Sequence, residues 1–594
     1  MYSKREHIFQ VGLLTLLFVY LLLRAWYVVP MHDEIASSYH YFETGRIFER
    51  GMVFDANNHF LNSFWGRFCY LVGWDDFFMY RLGNVLAFPL YFLGIRKLLE
   101  GISSSFFRNL VLVALVSIPF ILEYFAYARG YGMAMAFFTW QVYYLYQWTQ
   151  NTGTRNAMLL ACFSYLTLLA NLIFTGSFML TLLWAFLIFF LKKESFSKVE
   201  KRKLVLTLGV LMLSVAPLFA YTFFLKEIGA LYYGSLDGLW KVTGSTLSLY
   251  VLFYDGEILK YLLEILLLAG VIYFLARLNK DRLHTFVQDR MNLFAYFLFG
   301  NLAIILLMAL ILGVNYPEDR AGMYLVPLFL LVLTYFLDRV VWGKWLLLIY
   351  LFFPLSLCWK MSLQTSVFSP DMRMHRPFYE QVRGKMRSGE SLALYPTMHL
   401  VWNYLERERT QAVVPNGIRS FIPIYDQIVM RTELVPANYA SLGYEKIASD
   451  PVSGQEAFRR VKALNWKEEE RFRVKKQDSQ KDTLTLLKIP VEDSWREKHL
   501  RIEVEGKVSS QEEVERLTFV LSTTGKEGKR MQWTYTELRW NHRRGQRTFD
   551  LNAVYVFPER LSKERELHLY LLNRYGLQVK LTDGTIKLKT HYGT

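Results

Sequence analysis

The chain has 594 residues, of which 53% are hydrophobic and 17% aromatic, and its mean hydropathy is +0.17. That average is too high for a soluble protein and too low for a chain that lies wholly in a membrane. It predicts a polytopic N-terminal part and a soluble C-terminal part. The formal net charge of +16 does not indicate nucleic acid as a partner, because the Lys and Arg residues cluster in short loops between apolar segments. There they serve as topology signals and as contacts to anionic lipid.

The three cysteines, Cys69, Cys162 and Cys358, form neither a CxxC motif nor a paired framework. Two of them lie in apolar segments, so the sequence indicates neither a disulfide scaffold nor a metal site. The first apolar segment is expected to be a retained anchor, because no small-residue cleavage site precedes Val28-Val29.

Apolar segments of about 17–22 residues predict about eleven membrane-spanning helices. They lie near residues 8–29, 78–97, 109–125, 132–149, 157–171, 173–191, 204–225, 257–276, 291–313, 321–337 and 343–360. Alternate loops are rich in Lys and Arg, above all the segment 192–203, whereas the others are longer and more acidic. The positive-inside rule therefore predicts a cytoplasmic N-terminus. The first long loop and the C-terminal part are then extracytoplasmic, in an inner (plasma) membrane of bacterial type.

Three domains are predicted from where the apolar runs stop: a transmembrane domain over 1–362, an external α/β unit over 363–470 and an external β-sandwich over 471–594. A short buried strand over 391–395, followed by a turn and a helix over 398–409, indicates the α/β unit.

Alternation of apolar and polar residues near 500–504, 531–535 and 567–571 indicates the strands of the β-sandwich, which we predict to be of jelly-roll type. Asp583-Gly584 lies between two further alternating runs and predicts a hairpin turn. Such modules often bind carbohydrate, but that inference is analogy from the fold alone.

Adjacent carboxylates, Asp33 and Glu34, directly follow the first span in the sequence MHDEIASSY. A charged pair at the mouth of a membrane helix is costly, so it indicates function. The alternative is a solvated acidic pair that flanks a span, as charges commonly do. A long loop follows, and Asn57-Asn58-His59-Phe60-Leu61 precedes the second span.

This layout resembles the GT-C superfamily of membrane glycosyltransferases, especially the branch of the protein O-mannosyltransferases and aminoarabinose transferases (glycosyltransferase family 39-like). In that family the first outer loop carries an Asp-Glu pair and later a His/Lys-Pro-like step; here Phe60 stands in place of the Pro. The resemblance covers residues 1–362 and implies that Asp33 is the catalytic base with Glu34 beside it. It also implies that His59 contacts the donor phosphate, whereas a lone His in a loop is otherwise a surface residue or a local hydrogen bonder.

Glu123 lies at the outer end of the third predicted span and is followed by Arg129 and then by Gly-Tyr-Gly. This arrangement resembles the second acidic motif of the family, which implies that Glu123 acts near the acceptor or a metal and places Arg129 with the phosphate ligands. The alternative is an ion pair between Glu123 and Arg129, which burial in a membrane would also favour. The two interpretations are not exclusive.

Two further arginines match positions where the family holds the donor phosphate. Arg81 lies at the start of the second span, where its alternative is snorkelling to the interface. The motif Tyr316-Pro-Glu-Asp-Arg320-Ala-Gly-Met-Tyr324 resembles the family's Glu/Asp-Arg-Tyr signature, which implies that Arg320 and Tyr324 bind phosphate. Gly322 and Met323 stand between Arg320 and Tyr324, so the role of the tyrosine stays open. A topology-setting turn is the alternative, but the positive-inside rule predicts acids without Arg320 there.

The sequence thus predicts an inverting glycosyltransferase that moves one sugar from a polyprenyl-phosphate donor to an extracytoplasmic glycan, lipid or protein acceptor. Such an enzyme needs a carboxylate base and cations for the leaving phosphate. No cofactor is predicted, and a divalent metal is expected to be dispensable, since the external half has no His-rich set. One alternative is a flippase or transporter for polyprenyl-linked glycans, which should carry charges or broken helices at mid-membrane. The other is a membrane-anchored glycan-binding protein, which needs far fewer spans.

Overall fold

The computed structural model describes residues 4–47, 54–251, 256–340, 342–366, 368–407, 409, 413–474, 477–479, 481–510, 517–525, 530–537, 547–573, 576–582 and 584–592. The chain divides into two compact units. The first, here called the membrane unit, contains Met1–Val28 and His40–Leu363; the second, here called the C-terminal unit, contains Val29–Tyr39 and Gln364–Thr594. The segment that carries Asp33 and Glu34 therefore belongs to the C-terminal unit, which the predicted domain division did not include.

The helices up to Leu363 cover the predicted apolar segments and include several shorter helices outside them. They are α1 (Lys4–Tyr27), α2 (His32–Ser37), α3 (Phe60–Leu71), α4 (Phe77–Leu98), α5 (Ser105–Val116), α6 (Pro119–Tyr124), α7 (Tyr131–Gln150), α8 (Thr154–Ala170), α9 (Thr175–Leu191), α10 (Lys198–Glu227), α11 (Ser245–Val251), α12 (Glu257–Lys280), α13 (Leu283–Gln288), α14 (Arg290–Leu312), α15 (Leu325–Asp338), α16 (Gly343–Leu346) and α17 (Phe352–Lys360).

Seven helical segments of the described chain are long and apolar enough to cross a membrane. They are Lys4–Tyr27, Phe77–Leu98, Leu172–Leu191, Lys198–Glu227, Lys260–Lys280, Arg290–Leu312 and Gly343–Lys360. The predicted span 109–125 is broken: α5 ends at Val116, and Pro119 begins α6. Proline is favoured at the first position of a helix because it has no N–H to leave unpaired. The break places Glu123 on a short helix of its own.

A buried network of amides fixes α3 against α4 and the start of α7. The Asn84 amide donates to Asn62 Oδ1 at 2.9 Å, and Asn84 Oδ1 accepts from the Met133 N–H at 3.0 Å. The Asn62 amide donates in turn to the Ala128 carbonyl at 3.0 Å. Buried polar groups with these bonds made define one arrangement of the backbone. This network therefore positions the turn after α6 that carries Arg129.

Among its described residues, the C-terminal unit adds α18 (Arg376–Gly384), α19 (His399–Glu406) and three sheets. The strands are β1 (Leu392–Leu394), β2 (Asn416–Gly417), β3 (Gln427–Arg431), β4 (Tyr444–Asp450), β5 (Gln455–Arg460), β6 (Lys467–Val474), β7 (Gln477–Ser479), β8 (Thr483–Pro490), β9 (His499–Ser510), β10 (Thr518–Thr524), β11 (Arg530–Glu537), β12 (Thr548–Val556), β13 (Glu566–Leu572), β14 (Val579–Leu581) and β15 (Gly584–His591).

A mixed sheet of order β2-β1-β3-β5-β4 forms the α/β part, with β1 parallel to β2 and β3 and with α18 and α19 beside it. The predicted strand and helix near residues 391–409 are confirmed as β1 and α19. Helix α2 packs against α19, which anchors the Asp33 segment within this unit.

Two further sheets enclose one apolar core, as expected for a β-sandwich. One has the order β11-β10-β13-β8, and the other is built around β9. The core combines side chains of β9, β10, β13 and β15, among them Leu500, Ile502, Val504, Phe519, Leu521, Leu567, Leu569, Leu571, Ile586 and Leu588. The alternating runs near 500–504 and 567–571 thus correctly predicted the buried face. In β11 the apolar residues of the alternating run face solvent instead: Met531 and Tyr535 are exposed, whereas Gln532 is buried.

The predicted hairpin at Asp583-Gly584 is wrong. Strands β14 and β15 pair one after the other with the same edge of β9, since β12 occupies the opposite edge. They form one antiparallel ladder with a one-residue slip between them, as in a β-bulge. A Cβ at Gly584 would lie 2.3 Å from the Glu505 carbonyl oxygen, so glycine serves a close backbone approach here. Asp583 itself lies outside the described residues.

Candidate functional site

The turn Glu318-Asp319-Arg320, between α14 and α15, is held by hydrogen bonds to distant tyrosines. The Asp319 carboxylate accepts from the Tyr233 hydroxyl and from the Tyr250 hydroxyl, each at 3.1 Å. Asp319 also has a positive φ of 45°, which is rare for a residue with a side chain. Such backbone strain persists only where the surroundings enforce it, and it is frequent at ligand-binding sites.

The two tyrosine hydroxyls act as donors in this arrangement. Burial raises the pKa of Tyr250 far above its ordinary value, and the negative charge of Asp319 adds to the effect. Burial also raises the pKa of Tyr233, although the Arg320 guanidinium opposes the shift. Both hydroxyls therefore stay protonated at neutral pH and bind the Asp319 carboxylate.

Arg320 and Arg129 approach each other through a group of tyrosines. The Arg320 guanidinium carbon lies 4.4 Å from the centroid of the Tyr233 ring, and that of Arg129 lies 5.7 Å from the Tyr131 ring. Tyr124 contacts the Tyr131 ring at 5.0 Å between centroids, and both guanidinium groups lie near its hydroxyl. We call Arg129, Arg320, Tyr124, Tyr131 and Tyr233 the arginine–tyrosine cluster.

The cluster combines a buried and a more accessible cation. Arg129 is only 2% exposed, whereas Arg320 is half-buried and Tyr233 is 37% exposed. Guanidinium groups bind phosphate through two parallel N–H donors, and they interact favourably with aromatic faces. Two guanidinium groups among aromatic rings, one of them partly exposed, are suited to a phosphorylated ligand, although the Asp319 carboxylate beside Tyr233 offsets part of their charge.

His59 joins the cluster at its edge. Its ring lies 4.9 Å from that of Tyr131, at the N-cap position of α3. Gly130, between Arg129 and Tyr131, permits this contact: a Cβ there would lie 2.6 Å from His59 Cβ and 2.1 Å from the Ala170 carbonyl oxygen. The packing around Gly130, the first glycine of the Arg-Gly-Tyr-Gly motif, therefore leaves no room for a side chain.

Arg81 and Tyr324 lie in different surroundings from the cluster. Arg81 is 1% exposed and donates to the carbonyl oxygens of Ala25 and Val28 at 2.9 and 2.6 Å, so it joins the end of α1 to α4. Tyr324 is 2% exposed, and its ring packs on Phe174 at 4.9 Å. These contacts give both residues a structural role, and phosphate binding by either one stays a prediction.

Glu123 forms a buried ion pair with a residue that the sequence did not indicate. Glu123 Oε1 lies 2.6 Å from Nη2 of Arg24, which is on α1, and Glu123 Oε2 accepts from the Tyr127 hydroxyl at 2.9 Å. The same Nη2 lies 3.0 Å from the Tyr127 oxygen, which closes a triangle. The side chains of Arg24 and Glu123 are 0% and 6% exposed. The sequence suggested an ion pair of Glu123 with Arg129, whereas the structure shows an ion pair of Glu123 with Arg24.

The two acids of the Asp33 segment have different environments within the C-terminal unit. Glu34 is fully buried at the third position of α2, accepts from the Met31 N–H at 3.0 Å and lies 4.0 Å from Nη1 of the buried Arg373. This is the back half of a capping box, which holds the start of the helix. The Asp33 side chain is 15% exposed, and its Oδ1 lies 3.2 Å from His32 Nδ1. Asp33 is therefore the more accessible carboxylate.

Sequence patterns gave no signal for Arg24, Tyr233 or Tyr250, because each is a single residue whose partner is distant in the chain. Tyr131 is part of the Gly-Tyr-Gly motif after Arg129, but the sequence gave it no role. Within the described ranges, no three His, Cys, Asp or Glu side chains form a group that could hold a metal ion. The expectation that metal is dispensable stays a prediction.

Comparison with known proteins found no matching family model and no matching curated protein. Among solved structures, ArnT from Cupriavidus metallidurans has 13% identity over 75% of this chain and 97% of its own, with a TM-score of 0.34. Arabinosyltransferase EmbB from Mycobacterium smegmatis has 10% identity over 98% of this chain and 64% of its own, with a TM-score of 0.32. The infectious bursal disease virus VP2 particle has 15% identity over 27% of this chain and 38% of its own, with a TM-score of 0.18.

ArnT and EmbB belong to the GT-C superfamily that the sequence motifs resemble. At these TM-scores the structural match does not indicate the function of this chain. The function has to be inferred from the residues of the chain. The apolar helices and the sheets confirm the predicted fold class. The chain is a multi-pass helical membrane protein with a C-terminal α/β and β-sandwich region.

Proposed function

We propose that this chain is a membrane glycosyltransferase of the GT-C type, which moves a sugar from a polyprenyl-phosphate donor to an extracytoplasmic acceptor. The observation that carries the proposal is the meeting of Arg129 and Arg320 around three tyrosines in the membrane unit. Both arginines come from turns next to apolar helices, where the head of a membrane-anchored phosphate would lie.

The arginine–tyrosine cluster would stabilise the leaving group of the reaction. Sugar transfer breaks the bond between the anomeric carbon and the phosphate oxygen, and negative charge accumulates on that oxygen. Preorganised cations aimed at such a charge typically supply the largest part of catalysis in a site that excludes water. The exposed part of the Tyr233 ring offers a stacking surface for a sugar, while its hydroxyl stays bound to Asp319.

Asp33 would act as the general base. The acceptor hydroxyl or amine attacks the anomeric carbon from the face opposite the phosphate, which inverts that centre. As the new bond forms, the acceptor loses its proton to the carboxylate. A carboxylate that is partly exposed is available for this transfer, whereas Glu34 is engaged in the helix cap.

Donor binding gives a direct test of the cluster. Arg320→Lys should weaken binding of a polyprenyl phosphate, because an ammonium cannot reproduce the planar two-point contact. The loss of a charge-assisted hydrogen bond amounts to about 1.5–3 kcal/mol, which is roughly a ten- to hundredfold weaker affinity. Titration of the purified variants in detergent with the lipid measures it.

The matched control is Arg155→Lys, the same exchange at an exposed position in the first turn of α8. It should bind the donor as tightly as wild type. If Arg320→Ala also binds the lipid like wild type, the turn at Glu318–Arg320 is only structural, and the cluster does not hold the phosphate.

Membrane topology is a second test, since the proposed site must face the compartment that receives the sugar. Reporter fusions after Lys198 and after Pro370 should report opposite compartments, with Lys198 in the cytoplasm. The basis is the concentration of Lys and Arg in the segment 192–203. Both fusions on one side of the membrane would rule out an extracytoplasmic active site.

A further inference from the structure

A groove with a volume of about 180 Å³ lies among α7, α8, α9 and α10 in the membrane unit. Its lining is almost wholly apolar and includes Ala161, Phe189 and Leu208. Phe186 and Val205 also line it and are 45% and 66% exposed, so the groove opens sideways from the helix bundle. In a membrane protein, that opening faces the acyl chains of the bilayer.

An aromatic group with an unused donor lies at one end of the groove. The Phe196 ring stacks on Phe189 at 5.6 Å and on Trp148 at 6.4 Å between centroids. Trp148 lines the groove and is 4% exposed, and its indole Nε1 has no acceptor among the residues that the structure describes. An indole N–H can only donate, and a buried donor without an acceptor is costly. A ligand with a carbonyl oxygen would satisfy it.

A polar cavity of about 660 Å³ adjoins the same helix ends and is lined by Gln150, Lys192, Lys193 and Glu194 among others. Lys192 Nζ donates to the Thr149 carbonyl at 2.7 Å and to the Gln150 carbonyl at 3.4 Å, and an ammonium has three donors in all. Lys193 is exposed. The two lysines outweigh Glu194, so the cavity is positively charged.

The lining of the groove ends at Phe189 on α9, and the lining of the cavity begins at the next residue, Phe190. Phe189 lines the groove, and Lys192 follows it by three residues at the end of the helix, which is the spacing of neighbours on one helical face. An apolar groove with an unused donor at its end and cations beyond matches the order of parts in a glycerophospholipid: acyl chain, ester and phosphate.

We propose that the groove and the cavity form one binding site for an anionic membrane phospholipid. An acyl chain occupies the groove, an ester carbonyl accepts from Trp148 Nε1, and the phosphate lies against Lys192 and Lys193. The segment 192–203 is predicted to be cytoplasmic, and the cytoplasmic leaflet carries the anionic lipids. This proposal is independent of the glycosyltransferase reaction.

The test measures lipid retention by the full chain. Delipidated protein in detergent is titrated with phosphatidylglycerol and with phosphatidylcholine of the same acyl chains, and bound lipid is counted by native mass spectrometry. Wild type should bind phosphatidylglycerol more tightly, and the double variant Lys192→Ala/Lys193→Ala should lose about fivefold per lysine in that preference. Lys198→Ala, which removes the same charge from the same segment outside both cavities, should bind like wild type.

Two groove variants test the apolar part. Ala161→Phe fills the groove and should lower the retention of both lipids, and Trp148→Phe keeps the ring against Phe196 but removes the donor and should weaken retention less. Thermal unfolding of each variant without lipid identifies any that fails to fold. Equal retention of the two lipids by wild type, or unchanged retention in the lysine double variant, would overturn the proposal. So would displacement of phosphatidylglycerol by inorganic phosphate, because that outcome indicates a simple anion site.

Discussion

Asp33→Asn is expected to lower the rate of sugar transfer by about 10²–10⁴-fold, the usual cost of losing a general base. The exchange replaces one oxygen by an NH₂ group and hardly changes volume or burial, so the chain should still fold and insert. The amide has no basicity to accept the acceptor's proton, whereas donor binding does not require it. The measurement is the transfer rate with a polyprenyl-phosphate sugar, together with the donor affinity of the same variant.

Two controls separate chemistry from folding in this experiment. Asp75→Asn makes the same exchange at an exposed acid of the first long loop and should leave the rate near that of wild type. Glu34→Gln should reduce the rate less than Asp33→Asn but should lower the thermal stability, because the buried Arg373 loses its counter-charge. A near-normal rate in Asp33→Asn would mean that the base lies elsewhere, and Glu123 would be the next residue to change.

The helices of the membrane unit were predictable because hydrophobic length is a local property. Each predicted span coincides with helical structure, although Pro119 divides one of them and the 3-10 segment Leu347–Leu351 interrupts another. Helix α3 was not predicted, since its sequence mixes asparagine, serine and aromatic residues without a continuous apolar run. The strands β9 and β13 followed from alternation, but their partners did not. The pair Asp583-Gly584 has the composition of a tight turn, and only the pairing of both β14 and β15 with β9 excludes a hairpin between them.

The candidate site was predictable only as a set of motifs. Adjacent acids look equivalent in the sequence, yet Glu34 points to the helix cap and to Arg373, whereas Asp33 stays accessible. That difference depends on the phase of α2 and on a partner far along the chain. For the same reason the sequence could not assign Arg24 to Glu123, or Tyr233 to Arg320. Residue types limit the possible chemistry, but tertiary contacts decide which residue performs it.

Breaking the buried ion pair of Arg24 and Glu123 is expected to lower the free energy of unfolding strongly. Arg24→Met should destabilise the membrane unit by about 3–5 kcal/mol, because it leaves the Glu123 carboxylate buried without its cation. Glu123→Leu should be similarly harmful, since the guanidinium of Arg24 is fully buried. Removing both charges leaves no buried charge uncompensated, so the double variant Arg24→Met/Glu123→Leu should recover most of the lost stability. Thermal unfolding of the purified variants in detergent measures these differences.

The same double variant decides the role of Glu123. Both of its carboxylate oxygens are engaged, by Arg24 and by the Tyr127 hydroxyl, and its side chain is 6% exposed. We therefore expect the double variant to keep much of the transfer activity once its stability is restored, which a structural ion pair predicts. A double variant that unfolds like wild type but transfers no sugar would instead show that a charge of the Arg24–Glu123 pair acts in the reaction. Single variants cannot make this distinction, because loss of fold and loss of chemistry both abolish turnover.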